Sequence, residues 1–194
     1  MTNFTKVAFA AFAMAFISCN NDGNDSEPSG NCESDIEWFQ EGKFQSYAVK
    51  QFGFNAGTMK MTFGECTGGG RLTSRQVYGP DGALASETED LIKEDGDFLI
   101  SDVGNDGEYW AKLYKKNAAL GETWSVTRLD GSIVTPEVVD TDSIVTVPAG
   151  TFHCKVYKYT TTTAINDSYI FWNDETGQIK EDAGFMTLEL TEHN

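Results

Sequence analysis

The chain has few basic residues, few histidines and no long apolar segment. Its 194 residues include 14 Lys and Arg against 30 Asp and Glu, which gives a net charge of −16. A surface this acidic repels nucleic-acid phosphates and anionic lipid headgroups, so we expect no nucleic-acid partner and no electrostatic attachment to membranes. The apolar run Val7–Ile17 is eleven residues long, whereas a helix that spans a bilayer needs about 20.

The sequence also lacks the common catalytic motifs. Neither His153 nor His193 has a Glu-x-x-His or Cys/His partner, so no zinc site is predicted. Nucleophile elbows, phosphate-binding loops and dinucleotide fingerprints are missing too. We therefore predict no catalytic residue, no metal and no cofactor, and a protein that is not an enzyme.

One enzymatic alternative stays open. Paired carboxylates can hydrolyse glycosides when two of them face each other across a cleft. The candidates are Glu87, Glu89, Asp90, Glu94, Asp95, Asp97, Asp102, Asp106 and Glu108. Their positions in turns and on polar faces favour solvated side chains instead.

Residues 1–18 have the layout of an export signal. Lys6 is followed by the short apolar run, and Ser18 and Cys19 lie at the expected cleavage point. With a cysteine there, the segment Phe16–Cys19 resembles the lipobox of bacterial lipoproteins, although Phe16 replaces the usual Leu. The resemblance implies that 1–18 are removed and that Cys19 is lipidated and anchors the protein to a membrane, with more than one acyl chain. The alternative is an ordinary signal peptide with an incidental cysteine.

Residues 19–31 predict a lipidated cysteine followed by a flexible acidic tether. From Asn20 to Asn31 no apolar residue is available to join a folded core. Its acidic residues Asp22, Asp25 and Glu27 resemble the surface-export signal of lipoproteins from Bacteroidota. This resemblance implies an outer-membrane lipoprotein on the cell surface, with the periplasmic face as the alternative.

Residues 32–194 predict a single antiparallel β domain. Apolar and polar residues alternate with a period of two in runs such as 59–63 and 186–190, the pattern of half-buried strands. Clusters of Gly, Pro, Asn and Asp separate these runs. Their spacing predicts about nine to eleven strands, joined mostly by hairpins, with little helix.

Residues 147–152 read Val-Pro-Ala-Gly-Thr-Phe and predict a tight hairpin. This stretch resembles a hairpin of secreted bacterial β domains whose role is mostly unknown. The aromatic strand 169–172 and the Gly-containing segment 177–181 fit the same resemblance. It implies one strongly curved antiparallel sheet, a half-barrel or open barrel, like that of the periplasmic lipoprotein-carrier proteins.

Three cysteines remain beyond Cys19. The space outside the inner membrane permits disulfides. We predict a Cys32–Cys66 bridge, because both residues lie where loops are expected, whereas Cys154 alternates with apolar residues and faces the core. Connectivity is not fixed by sequence, so three free thiols are the alternative.

The aromatic residues supply the predicted binding surface. A concave sheet face lined by aromatic rings can hold a lipid tail or a sugar, although such rings also simply pack cores. The predicted ligand-binding residues are Tyr109, Trp110, Tyr114, Trp124, Tyr157, Tyr169 and Trp172. We thus expect a non-enzymatic envelope lipoprotein that binds an apolar or saccharide ligand. The other non-enzymatic alternative is an accessory lipoprotein with a packed interior, which contacts an envelope protein partner.

Overall fold

The computed structural model describes residues 34–67, 69–102, 110–128, 131–164 and 166–194. A three-residue 3₁₀ helix, Glu37–Phe39, precedes twelve β-strands. The strands are β1 (Phe44–Gln51), β2 (Phe54–Thr67), β3 (Gly70–Tyr78), β4 (Leu84–Asp95), β5 (Phe98–Asp102), β6 (Trp110–Lys115), β7 (Val126–Thr127), β8 (Ile133–Val147), β9 (Gly150–Thr161), β10 (Ser168–Asn173), β11 (Gly177–Asp182) and β12 (Met186–His193). Within these ranges, no helix has the length and apolar character needed to cross a membrane. The predicted signal peptide, Cys19 and the tether lie outside the described residues.

The strands form one antiparallel sheet that is nearly closed into a barrel. Its order, β6-β5-β4-β3-β2-β1-β12-β11-β10-β9-β8-β7, joins two meanders of six strands through the pairing of β1 with β12. At this junction Tyr47 lies opposite Leu190. Every pair of strands adjacent in sequence is paired in the sheet, except β6 and β7.

The predicted all-β class, single antiparallel sheet and small helix content are confirmed. Two details differ: the sheet has twelve strands, more than the nine to eleven expected, and it closes further than a half-barrel. One strand, β7, contains two residues, which is too short for an alternating pattern to appear. The closure depends on contacts between the two edge strands, and the alternation of apolar and polar residues along a strand does not predict such contacts.

Side chains bridge the gap between edge strands β6 and β7. Ala111 of β6 packs with Val126 of β7 and Val134 of β8 in one buried cluster. Apolar contact therefore replaces the missing backbone ladder, and it brings the two edges of the sheet together.

Two tyrosines of β9 satisfy carbonyl groups of the edge strand β6. Tyr159 donates its hydroxyl to the carbonyl of Leu113 at 3.0 Å, and Tyr157 donates to the carbonyl of Lys115 at 3.0 Å. A hydrogen bond of this kind contributes about 1 kcal/mol to stability. The two bonds also cover part of an edge that would otherwise be open to pairing with another chain.

One end of the barrel, which we call the closed end, is filled by aromatic side chains. Trp38 from the 3₁₀ helix meets Trp172 with ring centroids 5.2 Å apart and Phe63 at 5.5 Å, both edge-on. Tyr114 stacks on Trp172 at 4.5 Å. Gly177 has a φ of +89°, and a Cβ there would lie 2.9 Å from the Trp38 ring. Glycine at this position thus lets Trp38 seat in the floor of the barrel.

The predicted hairpin at 147–152 is present as the connection of β8 and β9. Its tip contacts β12, because Ala149 N donates to the Leu190 carbonyl at 3.0 Å. Val147 and Cys154 are buried in a second core cluster that includes Leu190, and Phe152 packs against this cluster while staying half-buried.

The cysteines beyond Cys19 have different surroundings. Cys154 is a free, buried thiol, and burial raises its pKa to about 12. Cys66 is disulfide-bonded. Its predicted partner Cys32 lies outside the described residues, so the Cys32–Cys66 pairing stays a prediction.

Candidate functional site

A cavity of about 610 Å³ lies inside the barrel, between the aromatic floor and the opposite end, which we call the open end. Its apolar walls include Met59, Met61, Phe63, Ile92, Leu99, Leu113, Val134, Tyr159, Ile170 and Trp172, with Trp38 at the floor. Exposed residues of the β9–β10 connection, Thr163, Ala164 and Asn166, also line it. The cavity therefore reaches the surface at the open end. Ligand pockets of roughly 300–1,000 Å³ with mainly apolar walls are typical small-molecule sites.

The sheet register explains why these side chains point inward. Met61 lies opposite Arg75, and Ile170 lies opposite Glu181. Directly opposed residues share one face of a sheet, and alternate residues along each strand do the same. The alternation of β2 therefore places Met59 and Met61 on the face that closure of the barrel turns into the cavity wall.

A buried polar cluster interrupts the apolar wall. The Arg75 Nη2 lies 3.2 Å from Asp90 Oδ2, and both side chains are largely buried. Glu181, whose exposed fraction is 7%, accepts a long hydrogen bond of 3.4 Å from Gln178 Nε2. Arg75 and Glu181 line the cavity.

Burial dominates the ionisation of this cluster. Desolvation raises the pKa of Glu181 to about 7, although the Gln178 hydrogen bond and the charge of Arg75 act in the opposite direction. Desolvation also raises the pKa of Asp90, against the pull of Arg75. Near neutral pH, Glu181 therefore exchanges between a neutral and an anionic form inside the cavity wall.

The structure distributes the predicted aromatic residues over several environments. Trp172 lines the cavity. Tyr114 and Tyr157 are buried in the core below it, where the Tyr114 hydroxyl contacts Asp174. Tyr109 lies outside the described residues.

The remaining three aromatic residues do not line the cavity. Trp124 is half-buried and packs against the cluster of Ala111, Val126 and Val134 at the closure of the barrel and against the core cluster that contains Tyr114 and Tyr157. Trp110 of β6 is half-buried, with Lys93 Nζ 3.7 Å from its ring centroid. Tyr169 is exposed and neighbours the inward-facing Ile170.

Several cavity residues were not predicted as site residues. Trp38 precedes the strands, and nothing in its local sequence signals that it closes a barrel. Arg75 alternates with Arg71 and Thr73, and its strand gives no comparable signal. Glu181 did leave a signal, because it lies two residues after Ile179 on the same face of β11. A charged residue in such a position is a candidate for the cavity wall.

Exposed phenylalanines surround the open end. Phe52 and Phe54, at the β1–β2 turn, are 72% and 78% exposed, and Phe185, which lines the cavity, is 44% exposed. The Phe52 and Phe185 ring centroids are 6.1 Å apart. Phe52 has a φ of +50°, a conformation that costs a non-glycine residue about 1–2 kcal/mol. Neither backbone preference nor burial accounts for an aromatic residue there.

Among the described residues, no three His, Cys, Asp or Glu side chains form a group that could hold a metal ion. Asp106 and Glu108, two of the candidate hydrolytic carboxylates, lie outside those residues. Glu181 is the one acidic residue of the cavity lining in this part of the chain.

Comparisons with known protein families and with curated proteins find no match. Two solved structures share the fold. One is a proposed lipoprotein from Parabacteroides distasonis, 14% identical, with a TM-score of 0.53 over 83% of this chain and 100% of that one. The other is a proposed exported protein with a YmcC-like fold from Bacteroides fragilis, 11% identical, with a TM-score of 0.55 over 93% of this chain and 99% of that one. At these identities the likeness shows the fold.

Proposed function

We propose that this protein is an outer-membrane lipoprotein, anchored through an acylated Cys19, that binds an apolar ligand chain inside its barrel. The observation that carries the proposal is the cavity of about 610 Å³, which is walled by apolar side chains and reaches the surface. A core that served stability alone would cover these apolar walls, because each Å² of apolar surface left open to water forgoes about 25 cal/mol of burial free energy.

The envelope location draws on two lines of support. Residues 1–19 resemble a lipoprotein signal, and the acidic residues after Cys19 favour the cell surface. The two structures of the same fold are described as a lipoprotein and an exported protein.

The lining favours a long apolar chain over a saccharide. Sugar sites need polar groups over much of their walls, whereas the wall here is mainly apolar and its polar residues lie in local groups, such as Arg75, Gln178 and Glu181. An alkyl chain needs only contact and desolvation, which burial of its CH₂ groups supplies at about 0.8 kcal/mol each.

The geometry favours binding over hydrolysis. Two carboxylates have to face one cleft for glycoside hydrolysis. Of the two largely buried acids beside Arg75, Glu181 lines the cavity and Asp90 is held by the Arg75 guanidinium. Glu87 and Glu89 are exposed on β4. A single acid without an opposing carboxylate supports no double-displacement or inverting mechanism among the described residues.

Native mass spectrometry of the protein extracted from its own membrane tests the proposal. We expect a co-purifying molecule with a long alkyl chain in addition to the acyl groups on Cys19. In the matched variants, Ile170→Trp places a bulky ring inside the cavity and Tyr169→Trp adds the same ring to the outer face. The first should lose the adduct and the second should keep it. An adduct that survives Ile170→Trp would place the ligand elsewhere.

A second candidate function is that of an accessory lipoprotein that docks onto an envelope protein partner. The exposed phenylalanines at positions 52, 54 and 185 favour it. In that case Phe52→Ser with Phe54→Ser would abolish co-purification with the partner, while an alkyl adduct would be unaffected.

A further inference from the structure

The charge of the cavity wall is opposite to that of the protein. The chain carries 30 acidic and 14 basic residues. The cavity lining in the described residues instead contains three bases, Arg75, Lys112 and Arg128, and one acid, Glu181. Even after Asp90 is counted as the partner of Arg75 and Glu181 is counted as ionised, one positive charge remains uncompensated. Protonation of Glu181 raises this excess to two.

Two of these bases lie where the edge strands meet. Lys112 belongs to β6, and Arg128 follows β7 directly. Their neighbours Ala111 and Val126 pack together in the cluster that closes the barrel. The same contact therefore holds Lys112 and Arg128 on one side of the cavity.

Neither base has an acidic partner in the described residues. The Lys112 ammonium lies over the Phe98 ring, 4.4 Å from its centroid, and no side chain of the described ranges forms an ion pair with it. The Arg128 Nε is buried without a hydrogen-bond partner in that part of the chain. Arg75, by contrast, is engaged by Asp90. A buried guanidinium nitrogen without an acceptor is costly unless a ligand supplies one.

We propose that the ligand is an anionic amphiphile with a single alkyl chain, whose carboxylate or phosphate head is bound by Lys112 and Arg128 while the chain fills the barrel. This inference rests on the proposed function and specifies its ligand class. The head lies at the β6–β7 side of the cavity, where Thr161 of the lining adds a hydroxyl donor. The chain extends toward the floor formed by Trp38 and Trp172. Cationic amphiphiles are disfavoured, since they would add positive charge to a wall that already has an excess.

The test is a set of twelve-carbon probes titrated calorimetrically, below their micelle concentrations, into the full chain carrying Cys19→Ser and purified without detergent. The probes are dodecanoate, dodecyl phosphate, dodecanol and dodecyltrimethylammonium. We expect both anions to bind at least about tenfold more tightly than the cation, which is the effect of one charge-assisted hydrogen bond. The better of the two anions identifies the head as carboxylate or phosphate.

The matched variants separate charge from packing. Lys112→Gln with Arg128→Gln should weaken anion binding about tenfold or more and leave dodecanol binding unchanged. The control is Lys60→Gln, because Lys60 also lies over a phenylalanine ring, at 4.6 Å from the Phe44 centroid, but outside the cavity lining. It should leave all four affinities unchanged.

Two results would overturn the inference while leaving the proposed function intact. One is cation binding as tight as anion binding, and the other is an equal loss of all probes in the double variant. If none of the probes binds to the unaltered cavity, the proposed function itself fails.

Discussion

Replacing Glu181 by Gln should stabilise the protein at alkaline pH and leave it nearly unchanged at acidic pH. Burial raises the pKa of Glu181 in the folded protein to about 7, from the ordinary value of 4.5. An acid of this kind binds more protons in the folded than in the unfolded state between these values. The preference of the folded state for the neutral carboxyl therefore adds its full share to the free energy of unfolding below pH 4.5, and this share is lost as the pH rises through 7.

The size of the loss follows from the two pKa values. Their difference corresponds to about 3 kcal/mol of unfolding free energy at pH 8. The attractions of Arg75 and Gln178 are already contained in this figure. In Glu181→Gln the amide is neutral at every pH, still accepts from Gln178, and carries no such penalty. The variant should thus gain about 3 kcal/mol relative to the parent between pH 4.5 and pH 8.

Urea unfolding at a series of pH values measures this gain. The control is Glu192→Gln, which removes an exposed carboxylate near the carboxyl terminus and corrects for the change in surface charge. Asp90 titrates in both proteins, so its contribution cancels in the comparison. Parallel stability profiles of Glu181→Gln and the parent from pH 5 to 8 would refute the reasoning.

Three further substitutions test separate parts of the fold. Phe52→Asn should raise the unfolding free energy by about 1 kcal/mol, because asparagine tolerates a positive φ; a lower stability would mean that the contact with Phe185 outweighs the backbone strain. Phe152→Ala should lower the free energy of unfolding by about 2 kcal/mol, which is less than the ~3–5 kcal/mol typical of a fully buried ring. A loss above ~4 kcal/mol in denaturant unfolding would contradict the half-burial of Phe152. Tyr159→Phe removes the hydrogen bond to the Leu113 carbonyl, so it should lower the free energy of unfolding by about 1 kcal/mol and speed amide hydrogen exchange in β6. Unchanged exchange in β6 would show that this bond does not stabilise the edge strand.

The local elements of this fold follow from the sequence. Alternation in the runs 59–63 and 186–190 predicts β2 and β12 and the face that each buries. The Gly-Pro-Asp-Gly segment 79–82 lies in the β3–β4 turn, and Pro148 and Ala149 form the β8–β9 turn. These features depend on neighbours within a few residues, which is the range that backbone preferences and the pleat cover.

The cavity could be predicted only in part, because it depends on which face of each strand turns inward. In β10 both faces carry large side chains, so sequence alone does not decide between Tyr169 and Ile170. The contact of Ala111 with Val126 and Val134, which sets how far the sheet closes, joins residues whose local patterns are ordinary. Trp38 likewise becomes part of a site only when the strands are already in place.

The position of β12 beside β1 has a consequence for the order of events in biogenesis. The pairing of Tyr47 with Leu190 joins nearly the two ends of the described chain, and such distant contacts carry the largest loop-closure cost and form late. The two meanders cannot pair with each other until β12 has emerged, because β12 is the strand that joins β1. A polypeptide that emerges amino terminus first therefore cannot close this barrel until residues 186–193 are free to pair with β1.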